Sequence, residues 1–318
     1  MHNRRDFIKK TGIASAFFGL GLGNHAFSMA PRADLYKISL AEWSVNKLLF
    51  SDKMDHLDFP VLAKKHGIHA VEYVNQFFMD KAKDQNYLRE MKTRAEGEGV
   101  TSVLIMCDRE GQLGAADAAE RATTVENHKK WVDAAKFLGC HAIRVNGYSS
   151  VDYSSDRQAF KESMNLVADG LHQLCEYADT MDIGVTIENH GGFSSNAKWL
   201  SGVMKAADHP RAGTLPDFGN FQISPNEGGQ PISYDSYKGV KELMPYAQGV
   251  SVKTTVWDNK GNQSPLDYEK MMRIVLKAGY RSWCGIEYGE AGREWESIVE
   301  VREQLEATEA ALQGSFSA

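Results

Sequence analysis

The 318-residue chain has room for one large domain or two small ones, and its 42% apolar and 25% charged residues supply an ordinary globular core. Its formal net charge is −6, and setting aside residues 1–30 leaves 32 basic against 41 acidic side chains. A field of that sign repels polyphosphates at long range, which argues against nucleic acid as a partner, and no repeat at a solenoid period is visible.

The first thirty residues read as a targeting segment and residues 31–318 as one domain. Arg4 and Arg5 stand in a charged start, an apolar run of small residues follows from Thr11 to Gly23, and further small residues lie around Ala26 to Ala30. The run is too short to cross a bilayer, so removal of the segment would leave no membrane span. The stretch RRDFIKK resembles a twin-arginine export signal, which implies a periplasmic or otherwise exported protein. Cleavage after Ala26-Phe27-Ser28 or after Ser28-Met29-Ala30 would satisfy the small-x-small rule. Cys107, Cys140, Cys175 and Cys284 show no metal-site spacing and are expected to be buried free thiols.

From Tyr36 onward, short apolar or β-branched runs alternate with amphipathic stretches. Strands are predicted over Tyr36–Trp43, His69–Val74, Thr101–Cys107, His141–Asn146, Gly184–Glu188, Ala212–Asp217, Gly249–Lys253 and Trp283–Glu287. Helices lie between them, among them Glu120–Leu138 and Arg157–Met181, the second with Phe160, Met164, Val167, Leu171, Leu174 and Ala178 near a helical period. Gly67, Gly99, Gly139 and Gly279 sit where helix C-caps belong, just before the next strand. Eight strand–helix units, with no GxGxxG after the first strand, favour a single closed (β/α)8 barrel over an open dinucleotide-binding sheet.

Chemistry in such barrels sits at the C-terminal strand ends. Those ends carry Glu42 and Trp43; Glu72 and Tyr73; Asp108; Arg144 and Asn146; Glu188, Asn189 and His190; Asp217 and Asn220; Ser251 and Lys253; and Glu287. Three acids converging at one mouth need a positive partner, and an all-oxygen set favours Mg²⁺ or Mn²⁺ over Zn²⁺. Of the histidines, His69 and His141 open strands and belong at the bottom face. His56, His66, His128, His172 and His209 fall on helices or their ends, where solvent is expected, and His190 alone leaves a strand at the mouth.

The segments IENH, LPDFGN, VSVK and GIEYGE resemble, in strand order, the xylose-isomerase-like barrel superfamily of sugar isomerases, ketose 3-epimerases and inosose dehydratases. The resemblance implies a divalent-metal site of Glu188, Asp217 and Glu287, with a histidine as fourth ligand where this chain has Ser251. Asn220 likewise replaces a histidine common in the family. With the imidazole gone, three carboxylates plus water, or a set recruiting His190, remain as ligands. The chain looks most like exported members labelled sugar phosphate isomerase/epimerase, and its expected partner is a small carbohydrate. Glu188 and Glu287 would exchange a proton beside the carbonyl of a keto-sugar. His190, Lys253, Asn220 and Arg144 would contact substrate oxygens, with Trp43, Tyr73 and Trp257 as an apolar wall. Elimination from a 3-keto-glycoside by the same carboxylates is the alternative reaction, and a non-catalytic periplasmic sugar-binding protein the alternative class. A metal-dependent nuclease would need more strand-end histidines and a basic rim. Oligomeric state is open at this stage.

Overall fold

The computed structural model describes residues 33–224 and 231–316. The targeting segment and its cleavage point lie outside them. The strands are β1 Lys37–Ala41, β2 Ala70–Val74, β3 Thr101–Met106, β4 Ala142–Asn146, β5 Gly184–Glu188, β6 Ala212–Leu215, β7 Gln222–Ser224, β8 Ile232–Ser233, β9 Val250–Val252, β10 Thr255–Trp257, β11 Gln263–Pro265 and β12 Trp283–Ile286. The α-helices are α1 Asn46–Phe50, α2 Phe59–Lys65, α3 Gln85–Gly97, α4 Ala118–Leu138, α5 Arg157–Thr180, α6 Ala197–Ala207, α7 Ser236–Leu243, α8 Tyr268–Lys277 and α9 Glu294–Phe316.

Eight parallel strands form one sheet in the order β6-β5-β4-β3-β2-β1-β12-β9. Its two edges meet at isolated parallel bridges, Thr214 with Ala247 and Asp217 with Ser251, closing the barrel. Three backbone bonds hold this seam: Gln248 N–H to Thr214 O, Ser251 N–H to Pro216 O and Phe218 N–H to Ser251 O, each 3.0 Å. The single (β/α)8 barrel expected from the alternation is the fold observed. Each expected strand is present, though several end one or two residues early. Two short antiparallel hairpins, β7–β8 and β10–β11, were not foreseen.

Local chemistry accounts for the helix boundaries. Asp84, Asp117, Asp156, Asn196, Asp235 and Asp267 cap the N-termini of α3 to α8 by accepting backbone N–H bonds, each cap being worth about 1 kcal/mol. The four predicted C-cap glycines all have positive φ, from +65° to +84°. On the strands, alternate residues split between two cores. Leu40, Tyr73, Ile105, Ile143, Val145 and Ile187 pack outward under the helices; Ala41, Ala70, Val74, Leu104, Met106, Ala142 and Leu215 form a second apolar cluster whose parity fills the barrel. All four cysteines are buried free thiols, as expected. His56 and His128 depart from expectation: both are buried, at 7% and 3% exposure.

On β2, between Ala70 and Val74 of this inner cluster, lies Glu72, fully buried, accepting a bond from Ser39 Oγ at 2.6 Å. Gly285 on the neighbouring register makes room for it, since a Cβ there would fall 2.4 Å from the carboxylate. Burial pushes the Glu72 carboxyl up to about 8 from 4.5, Glu287 and Glu188 adding to the rise. Between those values the unfolded chain gives up this proton while the folded chain keeps it, so stability falls as pH rises, by about 1.4 kcal/mol per unit, and levels off above the folded value. The Glu72→Gln variant should therefore gain stability on the wild type between pH 5 and pH 8. Urea unfolding across that range is the check, and parallel wild-type and variant curves would contradict it.

Candidate functional site

Glu188 closes β5, Asp217 follows β6 at the seam, and Glu287 follows β12. Their carboxylate oxygens lie within 4.8 Å of one another, all three side chains being buried. The three acids predicted to converge therefore do so. Ser251, at the position expected for histidine, bridges two of them: its Oγ lies 3.0 Å from Asp217 Oδ2 and 2.8 Å from Glu287 Oε2. With one proton to donate, it bonds one carboxylate at a time.

Two cations balance the cluster. The Lys253 ammonium bonds Glu287 directly and lies 3.4 Å from Asp217 Oδ2. The Arg144 guanidinium, only 4% exposed, donates from Nη1 to Asp108 Oδ1 at 2.8 Å. Its Nε lies 2.8 Å from Glu188 Oε2, a close charge pair that is not aligned as a hydrogen bond. Asn146 and Gln76 complete the Asp108 carboxylate at 2.7 and 2.9 Å. Burial works against the Asp108 anion, but Arg144 and these donors outweigh it and hold the carboxyl at about 2.

The motif around β5 and β6 works as a clamp. Asn189 accepts from the Asp217 backbone N–H at 2.8 Å and donates to the Asp217 and Asn220 carbonyls at 2.9 and 3.1 Å. Asp217 Oδ1 accepts from the backbone N–H groups of Gly219 and Asn220, and Asn220 Nδ2 reaches Glu188 Oε1 at 3.0 Å and Asp217 Oδ2 at 3.1 Å. A side chain at Gly219 would press on Lys253 Cβ at 2.9 Å, so glycine lets this loop approach the lysine. Sequence reasoning placed Asn189 at the strand end without a role. Its proximity to the LPDFGN loop exists only once β5 and β6 pair.

The environments pull the acids apart. Burial raises Glu188, with Arg144 opposing and Glu287 adding. Burial also raises Asp217, to about 7, against the pull of Lys253. Glu287 goes the other way: burial would raise it, but Lys253, Arg144 and Ser251 together lower it. Lys253 itself is held more firmly protonated, since Asp217 and Glu287 outweigh the cost of its burial.

Two cavities near the cluster share His190, Glu287 lining the first and its partner Lys253 the second. The inner one, about 440 Å³, is lined by Glu287, Trp43, Asp108, Arg144, Tyr148 and the loop following β3. The outer one, about 580 Å³, is lined by Lys253, Asn220, Trp257, Tyr288 and the β10–β11 hairpin. Each alone falls in the range of small-molecule sites, roughly 300–1,000 Å³. Trp43 and Trp257 therefore stand in separate cavities rather than on one wall. His190 stays at the rim, its Nδ1 3.1 Å from Tyr148 Oη, and does not join the three-carboxylate group. Tyr73 is a correction: it is 1% exposed, faces outward among His56, Phe59 and Phe78, and its hydroxyl meets Ser102. Residues 72 and 73 point to opposite faces of the sheet, and the inward one is Glu72.

An (α/β)8 barrel with a buried acidic cluster at its open end defines a broad class of small-molecule barrels. Residues 60–311 match the profile of the xylose isomerase-like TIM barrel family, and the chain belongs to that family. L-ribulose-5-phosphate 3-epimerase UlaE of Escherichia coli K12 is 25% identical over 243 residues, covering 70% of this chain and 78% of that protein. The E. coli 3-keto-D-glucoside 4-epimerase YcjR superposes with a TM-score of 0.62 at 13% identity, over 86% of this chain and 99% of its own. A xylose isomerase-like TIM barrel protein from Mycobacterium smegmatis in complex with magnesium superposes with a TM-score of 0.59 at 15% identity, over 80% and 88% of the two chains.

Removing one partner from a buried ion-pair network costs about 3–5 kcal/mol, because the remaining charges stay buried and unpaired. Arg144→Met should destabilise the protein by about that amount in urea unfolding at pH 7. A loss below about 1 kcal/mol would show that Arg144 does not neutralise Asp108 and Glu188.

Proposed function

We propose that the protein is an enzyme that moves a proton on the carbon beside the carbonyl of a keto-sugar, an epimerase or isomerase with Glu188 and Glu287 as its acid–base pair. The observation that carries this reading is the convergence of two buried carboxylates with Asp217 at one point of the mouth, Glu287 paired with Lys253 and Glu188 set beside Arg144. Paired groups whose environments separate their protonation preferences are suited to acid and base roles. Glu287, held toward its anion by Lys253, takes the proton from carbon. The C–H electron pair moves toward the carbonyl oxygen, giving an enediolate. Glu188, held toward its acid form, returns a proton to that carbon from the other side. Lys253 and His190 face the developing oxygen charge, and Asn220 and Ser251 hold the carboxylates in place.

The donor set fits a divalent cation. Glu188 Oε2 is buried without an aligned hydrogen bond, and Glu188, Asp217 and Glu287 bring only hard oxygens, a set suited to Mg²⁺ or Mn²⁺. When bound there, such an ion would supply positive charge for the enediolate oxygen.

The small carbohydrate partner is supported by the epimerase relatives and by aromatic rings in both cavities. A second reading, 1,2-elimination from a 3-keto-glycoside, is favoured by space on both sides of the Glu287–Lys253 pair, Glu287 lining one cavity and Lys253 the other. An exported location would bring such glycosides to the enzyme, and the paired Arg4 and Arg5 support that placement.

Proton exchange in D₂O separates these readings. Wild-type protein, with Mn²⁺ and without, is offered D-fructose, D-psicose, L-ribulose, L-ribulose 5-phosphate and methyl 3-keto-glucoside, and deuterium beside the carbonyl is read by NMR. Deuterated epimer is expected from an epimerase and released methanol from an eliminating enzyme. Glu188→Gln and Glu287→Gln should each cut the rate by about 10²–10⁴. Absence of exchange with every sugar under both conditions would sink the enzyme reading. The pH dependence of kcat/KM should be bell-shaped, with an acidic limb from Glu287 below the ordinary carboxylate value of 4.5 and an alkaline limb from Glu188 above it.

A further inference from the structure

His128 lies on α4, away from every strand end, yet its ring lines the inner cavity and is 3% exposed. Its Nδ1 is 2.8 Å from the Thr124 carbonyl one helical turn back. A carbonyl can only accept, so Nδ1 carries the proton and Nε2 is left with a bare lone pair. Burial disfavours the imidazolium, keeping the ring in that neutral form. Among the described residues Nε2 has no hydrogen-bond partner and is not sealed from solvent, so its lone pair is open to a donor in the cavity that the residue lines.

The surroundings say what kind of donor. Beside His128 the cavity is lined by the loop residues Arg109, Glu110, Gly111 and Gln112. Glu110 is already engaged, accepting from Trp131 Nε1 at 2.6 Å and Lys130 Nζ at 3.0 Å, while Asn127 Nδ2 donates to its backbone carbonyl at 3.2 Å. These bonds pin the loop after β3 against α4. Gly111 has φ +110°, and a Cβ there would fall 2.3 Å from Thr124 Oγ1, so the loop seats against the same turn that orients His128. This end of the cavity thus offers a fixed neutral acceptor, which takes a hydrogen bond from an O–H and none from a deprotonated phosphate or carboxylate oxygen, which has no proton to give.

Resting on the keto-sugar reading of the mouth, we infer that His128 is a specificity-determining residue whose Nε2 accepts a hydrogen bond from a substrate hydroxyl at the inner end of the cavity. The contact then reads one hydroxyl of the sugar. His128 takes no part in proton transfer at the reacting carbon, so its loss should weaken binding and spare the chemical step.

Two substitutions separate this role from a structural one. In His128→Asn the amide can reproduce the Nδ1–H bond to Thr124 but has no atom at the Nε2 position. In His128→Gln an amide oxygen can reach the Nε2 position. Affinity for D-fructose, D-psicose, L-ribulose and methyl 3-keto-glucoside is measured by calorimetry, with KM and kcat where turnover occurs, and thermal melting reports folding. His128→Asn should raise Kd or KM by about tenfold to hundredfold with kcat within a fewfold of wild type, and His128→Gln should restore most of the loss. Wild-type affinity in His128→Asn, or equal losses in both variants with unchanged melting, would overturn the inference. Should the variants not fold, ¹⁵N-histidine spectra of the wild type decide: the Nε2 resonance should be that of a bare nitrogen and move when sugar is added, and an unmoved resonance refutes the contact. Sugar binding without deuterium exchange would fail the enzyme reading alone, leaving the His128 comparison to stand on Kd. No binding of any sugar would refute both.

Discussion

The Arg144 guanidinium is sealed inside the barrel between Asp108 and Glu188, and the layout of the mouth follows from that confinement. A fixed cation on β4 lets two acids at the ends of its neighbours β3 and β5 stay close together. Asp108 in turn collects Gln76 and Asn146, tying β2 and β4 to the end of β3. Lys253 plays the matching part on the far side, holding Asp217 and Glu287. Between these two anchors Glu188 keeps an oxygen that nothing in the described structure aligns with.

The same residues serve closure and chemistry. Neighbouring strands elsewhere in the sheet share a ladder, but β6 and β9 meet through isolated bridges, one of them Asp217 with Ser251. An imidazole in place of Ser251 would put a bulky ring where a fully buried hydroxyl now spans two carboxylates. Lys253, two residues further on, supplies the cation of this side of the cluster.

Much of this was legible in the sequence, for physical reasons. Repeated strand–helix alternation and the cap glycines mark local events, so the barrel and its element boundaries could be read to within a residue or two. The acids Glu188, Asp217 and Glu287 could be placed together because strand ends in a closed barrel converge by geometry. What escaped depends on contacts distant in sequence. Tyr73 was misjudged because either of two adjacent residues could face inward until the outer core fixes the parity. His128 looked like a solvated helix residue because the loop after β3 that covers it lies more than a dozen positions away. Asn189 had no visible task until β5 and β6 paired, and the two hairpins carry too few residues to show a period.

The distribution of the site along the chain has a further meaning. Glu188 and Asp217 come from the middle of the sequence, whereas Glu287 lies on the last barrel strand, whose partners are β1 and β9. During synthesis the first six strands can line up as they emerge, but the acid cluster stays incomplete until the C-terminal strand docks and the seam shuts. A chain cut short or caught half-assembled therefore lacks the complete acid cluster, which exists only in molecules that have finished folding.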